Sequence, residues 1–307
     1  MVCDHNKAVR EKLISLLGDL PPMDLPVTAE LLWEEDRPLY RLQKLRLQLN
    51  GIEEVTAYMT LPKKGEAPYP VVVFNHSHGG FYSVGKTELL KPAPYMVQVP
   101  YAVSLAEAGI AAIAIDHWCF GERNHNTEND LFKLMLWRGQ VMWGMMVYDS
   151  LRVVDYLHTR PDVDTSRIAT LGMSMGSTMA WWLAALDERI CACADIGCMT
   201  EFNELIKTKG LREHGIYYYV PSLIKHFTTV DINALIAPRP HFSVNGTLDP
   251  LTPVDGLHHV DKALKELYAS LGAEGNWQMS LYDVPHQETE EARKEIIAFL
   301  SKHLNVN

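Results

Sequence analysis

The sequence predicts an α/β fold: a mostly parallel, doubly wound sheet that opens with an antiparallel hairpin. Three observations carry this reading. Short continuous apolar runs recur at 71–74, 110–115, 168–171, 190–196 and 241–244. Such runs suit parallel strands covered on both faces. Helical stretches separate most of them, which is the rhythm of crossover connections. The N-terminal part keeps a different period. Leu45, Leu47 and Leu49 alternate with Lys44, Arg46 and Gln48, Asn50-Gly51 marks a turn, and 55–61 returns as a second strand.

The elements follow in order. Residues 6–17 place Val9, Leu13, Ile14, Leu16 and Leu17 at helical spacing, and Gly18 with Pro21-Pro22 ends that helix. Residues 1–38 therefore read as a helical extension ahead of the hairpin. Helices are expected at 99–108, 131–157, 175–186 and 257–271. Residues 278–284 read as a last strand and 288–304 as a last amphipathic helix. Residues 199–237 break the rhythm with Tyr217-Tyr218-Tyr219, Pro221 and several charges. They read as a helical lid or cap inserted before the next strand, over the carboxyl edge of the sheet. A longer crossover helix is the plainer alternative. No linker rich in Pro, Gly or Ser divides the 307 residues, so one domain is expected.

Composition narrows the function classes. The chain is 47% hydrophobic and 21% charged, enough for a large core. Its net charge of −10 argues against nucleic acid and anionic membranes as partners. No run of 18 apolar residues suggests a membrane span. The start, Met1-Val-Cys-Asp-His-Asn-Lys, does not resemble a secretory signal. The cysteines number five, with no Cys-x-x-Cys, so a cytoplasmic location is expected. Cys191 and Cys193 lie two apart in an apolar run and read as buried thiols on one strand face.

One stretch carries chemistry. The run 168–171 leads into Gly172-Met173-Ser174-Met175-Gly176, and a helical segment follows. Strand, sharp turn and helix are the setting that makes a serine a nucleophile. Both glycines leave room where strand and helix cross. A serine hydroxyl needs an imidazole to take its proton and a carboxylate to orient that imidazole. Open α/β sheets place such groups after the carboxyl ends of strands. Asp249 follows the strand ending at Asn245, and His286 follows the one ending at Val284. Each has a plain alternative: Asp249 suits a turn, and His286 is one of 13 histidines. His241, His258 and His259 stand at less suitable ends, and Asp255 is the rival acid.

An oxyanion hole needs two N–H donors. Met175 supplies one by its place after the nucleophile. The loop Asn75-His76-Ser77-His78-Gly79-Gly80-Phe81 supplies the other, with His78 favoured and Gly79 next. Trp118, Phe120 and Tyr218 are candidate pocket walls. Glu122 and Arg123 are read as bracing their loop by pairing with each other. No metal is expected: His76, His78, Asp116 and His117 lack the pattern of a metal motif.

The chain resembles an α/β-hydrolase of the dienelactone-hydrolase and acetyl-xylan-esterase-like group, related to the catalytic domains of prolyl oligopeptidases. The resemblance runs from about residue 40 to the end. It rests on 75–80, on 116–123 ending Phe-Gly-Glu-Arg, and on Arg160-Pro-Asp-Val-Asp164 leading through Arg167 into the serine motif. His214-Gly-Ile-Tyr-Tyr-Tyr219 and Ala237-Pro-Arg-Pro240 complete it. It implies Ser174, Asp249 and His286 as the triad and no cofactor. Ser177 stands where many relatives have glycine. Serine replaces the cysteine of true dienelactone hydrolases, which favours ester hydrolysis. The expected activity is that of a serine esterase acting on small-molecule esters with small acyl groups through an acyl-enzyme. A prolyl-oligopeptidase-type peptidase and a noncatalytic binding relative are the alternatives, and homo-oligomerisation stays open.

Overall fold

The computed structural model describes residues 2–306, with side chains from residue 6 onward. Among them, nine strands form one sheet: β1 Thr28–Asp36, β2 Tyr40–Gln48, β3 Glu54–Pro62, β4 Tyr69–Asn75, β5 Ala111–Ile115, β6 Val163–Met173, β7 Ile190–Ile196, β8 His241–Gly246 and β9 Trp277–Tyr282. Their spatial order is β1-β2-β3-β5-β4-β6-β7-β8-β9. The pairs from β1 to β5 are antiparallel, and those from β5 through β4 to β9 are parallel. The chain reverses its winding direction around β4 and β6, and that is where an open sheet forms a crevice.

The helices are α1 Val2–Ser15, α2 Tyr101–Glu107, α3 Glu128–Trp137, α4 Met142–Leu157, α5 Met175–Leu186, α6 Phe202–Lys207, α7 Thr229–Ala234, α8 Val254–Ser270 and α9 Glu290–His303. The apolar runs alternate between two cores because strand side chains alternate between faces. Val71, Val73 and Ile113 pack with α4 and α5, while Val72, Phe74 and Ala112 pack with α2 and α9. Trp181 and Trp182 of α5 are wholly buried, so this helix is enclosed by protein. No helix among the described residues is long and apolar enough to cross a membrane.

In the elements themselves the structure differs from the sequence reading in three places. Residues 28–36 form an edge strand, so the expected helical extension at 1–38 is helix only in its first part. The apolar residues of β1 are consecutive and largely exposed, with no period to read; pairing to β2 and the Arg46–Glu30 ion pair at 2.8 Å hold it. The helix expected over 131–157 is two helices, because Gly139 takes φ +73° between α3 and α4. Cys193 is buried as expected, but Cys191 is half-exposed and packs on the opposite face. The register slips between Ile168 and Ala169, and the bulge reverses the alternation there. Cys3 lies outside the described side chains.

The segment 199–237 joins β7 to β8 and contains α6, α7 and short 3₁₀ turns. Its Tyr217 stacks on His78 of the loop after β4, with ring centroids 5.3 Å apart. Short helical pieces thus meet the loop after β4, and no single crossover helix forms.

Candidate active site

Ser174 sits between β6 and α5 with φ 60° and ψ −120°. Side chains rarely adopt this geometry, so the surroundings must hold it. A Cβ on Gly172 would lie 2.2 Å from the Gly176 carbonyl oxygen, and one on Gly176 would lie 2.0 Å from that of Asn75. Strand, helix and the end of β4 therefore meet backbone to backbone. Ser174 donates its N–H to the Ile196 carbonyl at 2.8 Å, which ties the turn to β7. Its Oγ makes no hydrogen bond among the described residues. The N–H groups of Met175, Gly176 and Ser177 open α5 and have no intrahelical carbonyl to bond.

Asp249 and His286 come together from separate strand ends. His286 Nδ1 donates to Asp249 Oδ2 at 2.6 Å. The other carboxylate oxygen accepts the Leu251 N–H at 2.8 Å, so the acid is held at both oxygens and buried. With its proton on Nδ1, the imidazole keeps the Nε2 lone pair free. The ring packs against Gly197, where a Cβ would lie 3.4 Å from Nδ1 and Cε1. Gly197 directly follows Ile196, the residue that anchors Ser174. Asp255 lies in the first turn of α8, and His258 and His259 lie further along the same helix.

The loop after β4 is pinned on both sides of His78. Ser77 donates its N–H to Glu88 Oε1 at 2.9 Å. The Gly80 N–H donates to His78 Nδ1 at 3.0 Å, so Nε2 carries the proton and donates to Glu128 Oε1 at 3.0 Å. The N–H groups of His78 and Gly79 make no hydrogen bond among the described residues. His76 is turned inward. Its Nε2 accepts the His117 N–H at 3.1 Å and its Nδ1 donates to the Ser77 carbonyl at 2.9 Å. Burial pushes its pKa down to about 4, so this imidazole is neutral. Both ring nitrogens of His76 and of His78 are thus already used within the protein.

The segment 116–123 is a brace. Buried Asp116 accepts from the Lys86 N–H at 2.7 Å, Lys86 Nζ at 2.5 Å and the Glu122 N–H at 3.0 Å. A Cβ on Gly121 would lie 2.1 Å from its Oδ1. Glu122 and Arg123 do not pair with each other. Glu122 meets Lys44 and Lys86, and Arg123 meets Glu53 and Asp149, because the short turn sends the two side chains to different elements. Trp118 lies against the Arg123 guanidinium at 4.3 Å. Phe120 is wholly buried under His76, His78 and Tyr82. Phe120 thus packs against the loop after β4, and Trp118 against Arg123. Tyr218 lines an apolar cavity of about 200 Å³ within 199–237, with Phe202, Leu205, Leu211 and Leu223.

Several residues near the site belong to no motif. Glu88 and Glu128 hold the loop after β4 from distant positions. Asp195 and His241 form a second pair at 2.6 Å, with Ser243 and Ser177 also donating to Asp195. Cys193 stands beside that pair. Ser177, the departure next to the serine motif, thus carries a hydrogen bond from α5 to β7.

Comparison with known proteins agrees with this architecture. A provisionally named hydrolase, YtaP of Bacillus subtilis (strain 168), is 47% identical over 295 residues, covering 96% of this chain and 98% of that protein. Among solved structures, a glucuronoyl esterase from Solibacter usitatus matches with a TM-score of 0.69 at 15% identity, covering 96% of this chain and 91% of its own. An acetyl xylan esterase from Paenibacillus sp. R4 matches with a TM-score of 0.60 at 17% identity, covering 98% and 92%. At such identities the structural likeness is one of fold. The model of the Abhydrolase family matches residues 2–263, and on that match this chain belongs to the Abhydrolase family of α/β-hydrolases.

Proposed function

We propose that the protein is a serine carboxylesterase acting on esters with small acyl groups, with Ser174, Asp249 and His286 as its triad. The observation that carries this reading is the His286–Asp249 pair at 2.6 Å beside Gly197, one residue from the anchor of the strained Ser174. In this reading His286 Nε2 takes the proton of Ser174 Oγ as the oxygen attacks the ester carbonyl. In this reading the Ser174 Oγ–His286 Nε2 hydrogen bond forms in the substrate complex. Negative charge then develops on the carbonyl oxygen. The N–H of Met175 receives it together with the N–H of His78, or of Gly79 next to it. Collapse expels the alcohol, which takes the proton back from His286, and leaves Ser174 acylated. Water, deprotonated by His286, attacks the acyl group, and Ser174 leaves with that proton.

The fold neighbours named as acetyl xylan and glucuronoyl esterases support an ester substrate. The test is turnover on p-nitrophenyl acetate, butyrate and octanoate beside a panel of proline-containing peptides. Turnover of the short esters, falling with acyl length, is the expected result. Cleavage of peptides alone contradicts it.

A further inference from the structure

Behind the loop after β4 lies a polar cluster that no triad needs. Glu88 stands in the 3₁₀ turn Gly85–Leu89 and is almost wholly buried. Its Oε1 accepts the Ser77 N–H at 2.9 Å, and its Oε2 pairs with Ser77 Oγ. The same Oγ meets the Tyr95 hydroxyl at 2.5 Å. Tyr95 reaches both halves of the crevice. A Cβ on Gly79 would lie 2.4 Å from its hydroxyl oxygen, and its ring centroid is 5.8 Å from that of His286. Ser77 and Gly79 flank His78, so this cluster grips the loop immediately before and after the His78 N–H.

We infer that Glu88, Ser77 and Tyr95 are positioning residues that aim the N–H groups of His78 and Gly79 at the oxyanion; the inference rests on the esterase reading above. The hydrogen bonds are consistent in either protonation state. With an ionised Glu88, Tyr95 donates to Ser77 Oγ, which donates to the carboxylate. With a protonated Glu88 the chain runs the other way, from Oε2–H through Ser77 Oγ to the Tyr95 oxygen. Burial pushes the Glu88 carboxyl up to about 7, so both forms are present near neutral pH. Held in this way, the loop need not reorganise as charge develops, which is where preorganised donors act. Gly79 supplies the room: with φ +50° and the hydroxyl in place of a Cβ, it lets Tyr95 touch the main chain.

The test compares Tyr95→Phe, Ser77→Ala and Glu88→Leu with the wild type on p-nitrophenyl acetate. Donors that act in the transition state give losses in kcat at nearly constant KM. Each variant is expected to lose about 10- to 100-fold in kcat while KM moves less than about threefold. Glu88→Gln, which accepts from the Ser77 N–H and donates to its Oγ, is expected to keep kcat within about fivefold. Tyr95→Phe combined with Ser77→Ala is expected to cost no more than the worse single change, since both act through one loop. Thermal melts check that the variants are folded, and Tyr95→Phe removes only one oxygen atom. Unchanged kcat in Tyr95→Phe and Ser77→Ala, or a loss confined to KM, overturns the inference while wild-type turnover leaves the esterase reading standing. A wild type without turnover on any ester removes both.

Discussion

Two aspartate–histidine pairs in this molecule share one distance, 2.6 Å, and differ in almost everything else. Asp249–His286 lies beyond the ends of β8 and β9, and its histidine side chain keeps 20% of its surface exposed. Asp195–His241 lies within the sheet on adjacent strands, with both side chains at 0%. His286 binds its aspartate through Nδ1 and, among the described residues, leaves Nε2 without a partner on a partly exposed ring. His241 binds its aspartate through Nε2 and, among the same residues, leaves Nδ1 buried without a partner, and the other oxygen of that aspartate is taken by Ser177 and Ser243. The short contact is thus no sign of catalysis on its own. Place in the sheet, and the exposure of the histidine, separate the pair proposed to be catalytic from one that ties α5, β7 and β8 together.

Variants of the two pairs break or sharpen this contrast. His286→Ala is expected to lower kcat by about 10⁴-fold or more, and Asp249→Asn by about 10³- to 10⁴-fold, with little change in stability. Asp255→Asn is expected to stay within about twofold, because that residue does not meet the histidine. His241→Ala should do the reverse. It strands the Asp195 carboxylate in the core, at a cost of about 3 kcal/mol in denaturant melts, while the folded fraction keeps kcat within about threefold. Equal kcat losses from both histidines contradict the division of roles.

A smaller effect is expected from His76, which is wholly buried. His76 is held at about 4 against an ordinary 6.5. As pH falls below about 6.5 the unfolded chain takes up this proton first, so the stability that depends on a neutral His76 is lost between there and about 4. The full difference is about 3 kcal/mol. His76→Gln is expected to flatten the fall in melting temperature between pH 7 and pH 4.5. An equally steep fall in the variant means that other groups carry the acid sensitivity.

The same contrast explains what the sequence made legible. Ser174, Asp249 and His286 are each set by a short local pattern: an apolar run, a turn residue, a strand end. Gly172 and Gly176 announce their close approach because no other residue fits. Glu88 and Tyr95 carry no such signal, since each meets Ser77 only after β4 and the 3₁₀ turn have folded together. His241 stood out as a less suitable base, but its partner Asp195 is an unremarkable residue in an apolar run. β1 was hidden for a related reason: it is held by β2 and not by its own pattern. The motif at 116–123 was visible as a motif, yet its glycine and charges serve Asp116 and the neighbouring elements rather than a ligand.

The central claim is that Ser174 is the nucleophile. Reaction of the wild-type protein with a fluorophosphonate, followed by peptide mass mapping, tests it most directly. The expected result is a single adduct on the peptide containing Ser174, lost in Ser174→Ala. An unmodified protein, or an adduct on any other residue with Ser174 untouched, contradicts the account.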